Sequence, residues 1–438
     1  MGGRSQFRAI YRLRPRIDPS VSSASAASPA TAFRRDATVI SLVGFAHGTS
    51  HFFHFVMPPL FPWLMRDFGL SFTEVGSTMT VFFVVSGVGQ ALAGFVVDRF
   101  GALRVLCGGV AMLCAGGFAL ALAGSFPMVL GAAAIAGLGN CVFHPADYTI
   151  LNRRISPPRL GHAFSVHGLS GSLGWAAAPV YVVALAQGFG WRAGAAGASL
   201  VGLLALGFLY ANRALLDDTE LHAPEPARRG GGSFGFLGVG VVWMCFAFFL
   251  VSVMAFGGLQ NFAPPVLARA YGVSFTVATS GLTAYLLGSA AGVGAGGFFA
   301  SKGQHQERLI AIALFAAALC SIALASGEAP RWSLIALMGM MGFGVGFSGP
   351  SRDILVRRAA TGSFGSAAYG RVYGFVYSGV DTGLAIAPLA FGIFMDAGHY
   401  ASVLWGVAAL QSLAIVAALG VGLRARKSNF PSRNGRSA

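Results

Sequence analysis

The sequence predicts an all-α membrane protein of twelve transmembrane helices, arranged as two pseudo-symmetric six-helix bundles. Three observations carry this prediction. The chain is 55% hydrophobic and only 10% charged, whereas a soluble domain carries roughly 25% charged residues. Its apolar runs repeatedly reach the about 20 residues that a helix needs to cross a bilayer. Its two halves also resemble each other in sequence.

The apolar runs place spans at about 37–62, 75–97, 104–123, 128–151, 160–186, 192–212, 235–262, 275–300, 307–327, 331–357, 368–396 and 399–424. The 62 glycines suit this class, because small residues let helices approach closely in lipid. The internal repeat is gapless over residues 68–101 and 271–304, an offset of 203. It matches Gly69 with Gly272, and Ser71, Phe72 and Thr73 with Ser274, Phe275 and Thr276. Pro58-Pro59, ending span 1, recurs as Pro264-Pro265 ending span 7. Gly139, Pro145 and Arg153 fall on Gly344, Pro350 and Arg358, and Pro179 falls on Pro388. A repeat that crosses six spans with its orientation kept makes the halves parallel copies. The expected organisation is a basic tail at 1–36, bundles at 37–212 and 235–424, a polar linker at 213–234 and a basic tail at 425–438.

The net charge of +15 has the distribution of an insertion signal. Every Lys and Arg except Arg66, Arg192, Arg269 and Arg331 falls on the side shared by both termini. This positive-inside bias predicts cytoplasmic termini and argues against nucleic acid as a partner. The Arg-, Ser- and Ala-rich start reads as an organellar transit segment or a disordered basic tail. Arg outnumbers Lys 28 to 2, which favours the tail of a protein in a bacterial inner membrane. Cysteines 107, 114, 141, 245 and 320 show no ligand or disulfide spacing and read as small core residues.

Between spans 2 and 3 stands GFVVDRFGALRVL, residues 94–106. Gly94 and Gly101 flank Asp98 and Arg99, and with Arg104 these charges can cap and cross-link helix ends. The stretch resembles the loop between helices 2 and 3 of the major facilitator superfamily, which implies two facing bundles that work by alternating access. The second copy, GGFFASKGQHQERLI, keeps Lys302 at the Arg99 place but has Ser301 for Asp98. The first copy is therefore the expected latch.

Polar residues inside the spans are the candidate chemistry. His47, His51 and His54 share one face of span 1, and such groups usually face a bundle interior or an aqueous cavity. The stripe reads as a transport path, a metal route or hydrogen-bonded packing. No carboxylate or cysteine nearby in the sequence completes a metal site, so no metal or cofactor is assigned. In span 7, Gln260 and Asn261 can touch substrate, bridge the bundles or cap the helix end. In span 4, CVFHPADYTILNRR carries Pro145, which removes a backbone donor and loosens the helix, between His144 and Asp147. Span 10 places Arg352 at the position matching Asp147. The pair can bridge the bundles as a gate, or each charge can pair locally, with Asp353 competing for Arg352. Span 5 contributes His162 and His167 and lacks the glycine-proline-glycine signature of many drug exporters of the superfamily. Span 11 carries Tyr373, Tyr377 and Asp381. A lone acid at bilayer depth costs about 2.5–3.5 kcal/mol on insertion scales, so Asp381 is the candidate proton carrier, or else a structural hydrogen bonder.

FGLSFTEVG, FHPADY and GHAFSVHGLSGSLGWAAAP resemble the fosmidomycin-resistance group of the superfamily. That resemblance implies proton-driven movement of a small organic anion or antibiotic, with export the better-known direction. The expected function is a proton-coupled secondary transporter of a small organic solute, acting as a monomer in the bilayer. No Walker-type signature supplies nucleotide energy. An importer of an organic acid is the alternative within the class. A transporter-derived sensor or channel is the alternative outside it. No nucleophile, base or metal constellation points to an enzyme.

Overall fold

A computed structural model describes residues 29–217, 238, 240–302, 305–364 and 369–428. Both tails beyond these limits, most of the 213–234 linker and the side chains of Asp98, Ser301, Lys302, Tyr373 and Tyr377 lie outside the described residues.

The first half comprises α1 (Pro29–Phe53), the short α2 (Phe61–Phe68), α3 (Phe72–Phe100), α4 (Ala102–Ala121), α5 (Phe126–Asn140), α6 (Phe143–Arg154), α7 (Leu160–Phe189), α8 (Trp191–Ala211) and one turn, α9 (Arg213–Leu216). The second comprises α10 (Gly240–Tyr271), α11 (Phe275–Lys302), α12 (Gln306–Ala325), α13 (Leu334–Phe364), α14 (Tyr369–Asp396) and α15 (Tyr400–Ser428). Among the described residues eleven helical segments are long and apolar enough to cross a membrane, with α5 and α6 counted as one. The twelfth predicted span, α1, falls short of that apolarity because it carries three histidines as well as Arg34, Arg35 and Asp36. It packs on α6, α7 and α8, so its polar face meets protein.

α1 begins at Pro29, ahead of the expected start at 37. Buried Asp36 accounts for the extension, accepting hydrogen bonds from Ser156 Oγ (2.5 Å) and Arg159 Nη1 (2.8 Å) at the turn into α7. Span 4 is broken at Cys141–Val142. Pro145 has no N–H to offer the Cys141 carbonyl, and the ladder restarts with Ala146 N donating to Val142 O. His144 and Asp147 therefore stand on the regular first turns of α6 and do not line the break. Pro264 and Pro265 do not end their helix as expected: α10 continues through them to Tyr271.

At the end of the molecule opposite the chain termini, the repeated Ser-Phe-Thr triplets show what they do. Ser71 forms a capping box with Glu74 at the start of α3, and Ser274 Oγ accepts from Val277 N at the start of α11. The Phe and Thr of each triplet reach the other half. Phe72 meets Phe262 with ring centroids 6.1 Å apart, and Phe275 meets Trp63 at 5.7 Å. Gln187 Nε2 donates to Thr276 Oγ1 (3.0 Å). Asp396, ending α14, accepts from Phe72 N (2.5 Å), Thr73 N (3.0 Å) and Thr73 Oγ1 (2.5 Å). Its carboxylate thus sits at the positive N-terminus of α3. Deeper in, Thr80 Oγ1 donates to Ala385 O (2.7 Å). The halves are latched at this end by α3 on α14 and α7 on α11. Nearby, the Trp191 Nε1 hydrogen bond (2.7 Å) to Asp67 holds that carboxyl below its usual range and ties α2 to α8.

Removing the Asp396 latch should loosen this end. The group is exposed, so its hydrogen bonds together contribute about 1–2 kcal/mol to the closed form, a factor of about 5–30 in the closed-to-open ratio. In a background without the five cysteines, spin labels at Ser125→Cys and Glu328→Cys should show longer distances on adding Asp396→Ala. An unchanged distribution would mean that the apolar contacts alone keep this end shut.

Candidate functional site

The sequence-predicted histidines meet in the first half. His47, His51 and His54 lie along α1 with successive ring centroids 4.3 Å and 5.0 Å apart. His167 from α7 stacks on His47 at 3.6 Å, and His144 from α6 lies edge-on to His47 at 5.4 Å. The rings can come this close because α7 presents Gly171 to them. A Cβ there would lie 2.6 Å from His51 Nδ1 and 3.1 Å from His47 Nε2.

Asp147 is the acid at the centre. It is fully buried, and its Oδ2 lies 3.1 Å from both His47 Nδ1 and His167 Nε2. Its Oδ1 has no partner among the described residues. Burying an ion costs several kcal/mol even after the protein relaxes, so such a group needs compensating partners. Asp147 does not meet Arg352 in this structure, whose outer end is latched; the bridge between bundles is expected of the outward-open form. α6 turns its carboxylate toward α1 and α7, while Arg352 stands with its guanidinium 4.7 Å from the Phe249 ring.

The cluster continues toward the latched end. Asn140 Oδ1 accepts from Ser50 Oγ (2.5 Å), lies 3.0 Å from His54 Nε2, and Asn140 Nδ2 donates to Ser86 Oγ (2.8 Å). His144 Nδ1 lies 3.1 Å from Gln90 Oε1. Gln260 bridges the halves, Nε2 donating to the His54 carbonyl (2.7 Å), whereas Asn261 turns back to Gly257 O in its own helix. His162 is exposed and stands apart from the cluster.

Trp175 on α7 forms a wall between this cluster and a cavity. Its ring stacks on His51 at 4.5 Å, Nε1 donates to His54 Nδ1 (3.2 Å), and the other side meets Phe256 at 5.1 Å. The cavity, of about 210 Å³, is lined by Trp175 and Ser172 of α7 and by α10, α11, α12, α13 and α15. Arg352 is the charged residue in its lining; Ser252, Tyr285, Ser289 and Gln411 supply polar groups. Ser252 Oγ and Gln411 Oε1 are buried without protein partners. A site with one guanidinium, hydroxyls and an amide among aromatic walls can hold a small anion with an apolar or hydroxylated body. Asn140, Trp175, Ser252, Tyr285, Ser289 and Gln411 were missed in the sequence, whereas Arg352 was expected as a gate charge and lines the cavity instead. A polar residue alone in an apolar run, as Asn140 and Gln411 are, was the available signal.

The remaining candidates lie elsewhere. Asp381 is half-buried where α14 meets α3: a Cβ on Gly87 would lie 3.1 Å from its Cβ. It has no hydrogen-bond partner among the described residues. At the hinge, Gly101 adopts φ +87° as α3 turns into α4, a conformation that suits glycine. Arg99 lies over Phe100 at 5.3 Å, Arg104 is exposed, and a Cβ on Gly94 would meet nothing.

A family model described as Major Facilitator Superfamily matches residues 43–368 and 245–437. The chain is 25% identical over 395 residues to the uncharacterized MFS-type transporter YfnC of Bacillus subtilis (strain 168), covering 87% of this chain and 92% of that one. Two further likenesses are partial. The fosmidomycin resistance protein of Escherichia coli (strain K12) is 25% identical over 38% of this chain and 41% of its own length. The multidrug resistance protein B homolog of Mycobacterium tuberculosis (strain ATCC 25618 / H37Rv) is 30% identical over 128 residues, and the match spans 24% of that protein. Among solved structures, a bacterial homolog of the human lysosomal transporter Spinster, in an inward-facing and unoccupied conformation, superposes with TM-score 0.67 at 16% identity, covering 93% of this chain and all of that one. This likeness shows the fold.

Proposed function

Because the chain belongs to the major facilitator superfamily, we propose that it is a proton-coupled secondary transporter of a small organic anion, bound in the cavity between Trp175 and Arg352. The observation that carries the reading is the cavity itself. It places a guanidinium and unpartnered polar atoms against aromatic walls beside the junction of the two halves. Its volume of about 210 Å³ lies below the about 300–1,000 Å³ of drug-sized sites, which favours a small solute.

Alternating access supplies the mechanism. With both termini in the cytoplasm of a bacterial cell, as the positive-inside bias suggests, the latched end faces outward and this structure is a form closed toward the outside. Breaking the Asp396, Gln187 and aromatic contacts would open the outer end, and closing the halves at the hinge end would complete the exchange. The organisation into bundles at 37–212 and 235–424 with a linker between them fits that motion. Asp381, at the α3–α14 seam where the halves part, is the proton carrier of this reading. Export is its direction, supported by two relatives named for resistance.

The experiment is uptake of radiolabelled organic anions and antibiotics into inside-out and right-side-out vesicles, with and without an imposed pH gradient. Accumulation in inside-out vesicles with an acidic lumen is the expected result. Accumulation only in right-side-out vesicles would make the protein an importer of an organic acid, and transport indifferent to the gradient would remove proton coupling.

A further inference from the structure

We propose that the first half of the molecule holds a divalent transition-metal ion, with His47 Nδ1, His167 Nε2 and the Asp147 carboxylate as ligands. The inference does not depend on the transport reading. No carboxylate stands near the histidine stripe along the chain, because Asp147 is 100 residues from His47. The fold brings it there from α6 while α7 brings His167.

The geometry suits an ion of zinc size. Zinc binds imidazole nitrogen and carboxylate oxygen at about 2.0–2.2 Å in tetrahedral sites, which sets its ligand atoms roughly 3.3–3.5 Å apart. Here both nitrogens lie 3.1 Å from one Asp147 oxygen, and all three ligand atoms lie within 4.8 Å of one another. Imidazole with carboxylate is a donor set that suits zinc, nickel and cobalt ions and not the hard cations that demand oxygen cages. The three ligands come from three helices, and each residue is almost wholly buried.

Two further observations point to a cation. Asp147 Oδ1 is buried without a partner, and so is His51 Nδ1. Two imidazoles meet the single acid of the cluster, and among the described residues no Lys or Arg pairs with it. Hydrogen bonds from His47 and His167 use one carboxylate oxygen and leave the other without a partner among the described residues. His47, His51 and His144 form a second group whose donor atoms lie within 4.8 Å of one another. His144 is exposed, so this group leads inward from the surface to Asp147.

The test uses the full chain without a histidine tag, purified in detergent and stripped with a chelator. Titration with Co²⁺ should give the visible bands of a low-coordinate site at one equivalent, abolished by added Zn²⁺. Zn²⁺ should also raise the unfolding temperature, as a ligand bound to the native state does. His47→Gln, His167→Gln and Asp147→Asn should each weaken binding at least tenfold, while His399→Ala binds as the parent does. If Asp147→Asn does not fold, the two histidine variants and the parent's Co²⁺ spectrum decide. A Co²⁺ spectrum of the hydrated ion, or equal affinity in the histidine variants, overturns the site and leaves the cluster to protons and packing.

Discussion

Arg352→Gln is expected to raise the KM for an anionic substrate by about 10–100-fold while leaving expression and maximal rate close to the parent's. The guanidinium is the charged group in the cavity lining. A hydrogen bond to an ionised partner contributes about 1.5–3 kcal/mol, and each 1.4 kcal/mol is a factor of ten in affinity. The side chain stands against Phe249, with the guanidinium carbon 4.7 Å from the ring centroid, which fixes its direction and limits the strain of a shorter, neutral replacement. Arg352→Lys keeps the charge but loses the planar fork, so it should recover part of the affinity. The readout is initial-rate uptake across substrate concentrations, with a neutral analogue as the comparison. An equal fall for neutral and anionic solutes would mean that Arg352 shapes the cavity and does not recognise charge. An unchanged KM would remove the anion from the proposal.

The fold was largely legible because apolar length, the positive-inside bias and the internal repeat each report on the bilayer directly. What escaped was the order in which the helices touch. Asp147 and Arg352 occupy matching places in the two halves, and the repeat alone invited a bridge between them. The side a helix presents depends on its rotation, which the break at Cys141–Val142 resets in α6 and which nothing resets in continuous α13. The histidine stripe was legible as a face of α1, but its acid came from a distant helix. Ser71-Phe72-Thr73 and its copy were visible as a repeat without their meaning. Capping explains the serines, whereas Phe72 and Thr73 act on Phe262 and Asp396 in the other half. No local pattern encodes a partner more than 300 residues away.

Asp381→Asn is expected to abolish accumulation driven by a pH gradient while substrate exchange and downhill flux continue. An acid that couples proton movement to transport must change its surroundings when the protein changes state. Asp381 meets that condition by position. It lies on α14 against Gly87 of α3, one step further in along a seam that runs from Asp396 and Thr73 at the latched end through Thr80 and Ala385. When the halves part at that end, this seam is what opens. A neutral isostere should fit the same space with a stability change of less than about 1.5 kcal/mol. A purely structural acid would behave otherwise: its replacement would lower every transport mode together with the amount of folded protein. The assay compares gradient-driven uptake with counterflow in vesicles loaded with unlabelled substrate, at equal protein. Loss of driven uptake with counterflow intact assigns the proton to Asp381. Parallel loss of both would assign it a structural role, and intact accumulation would move the coupling proton to another group.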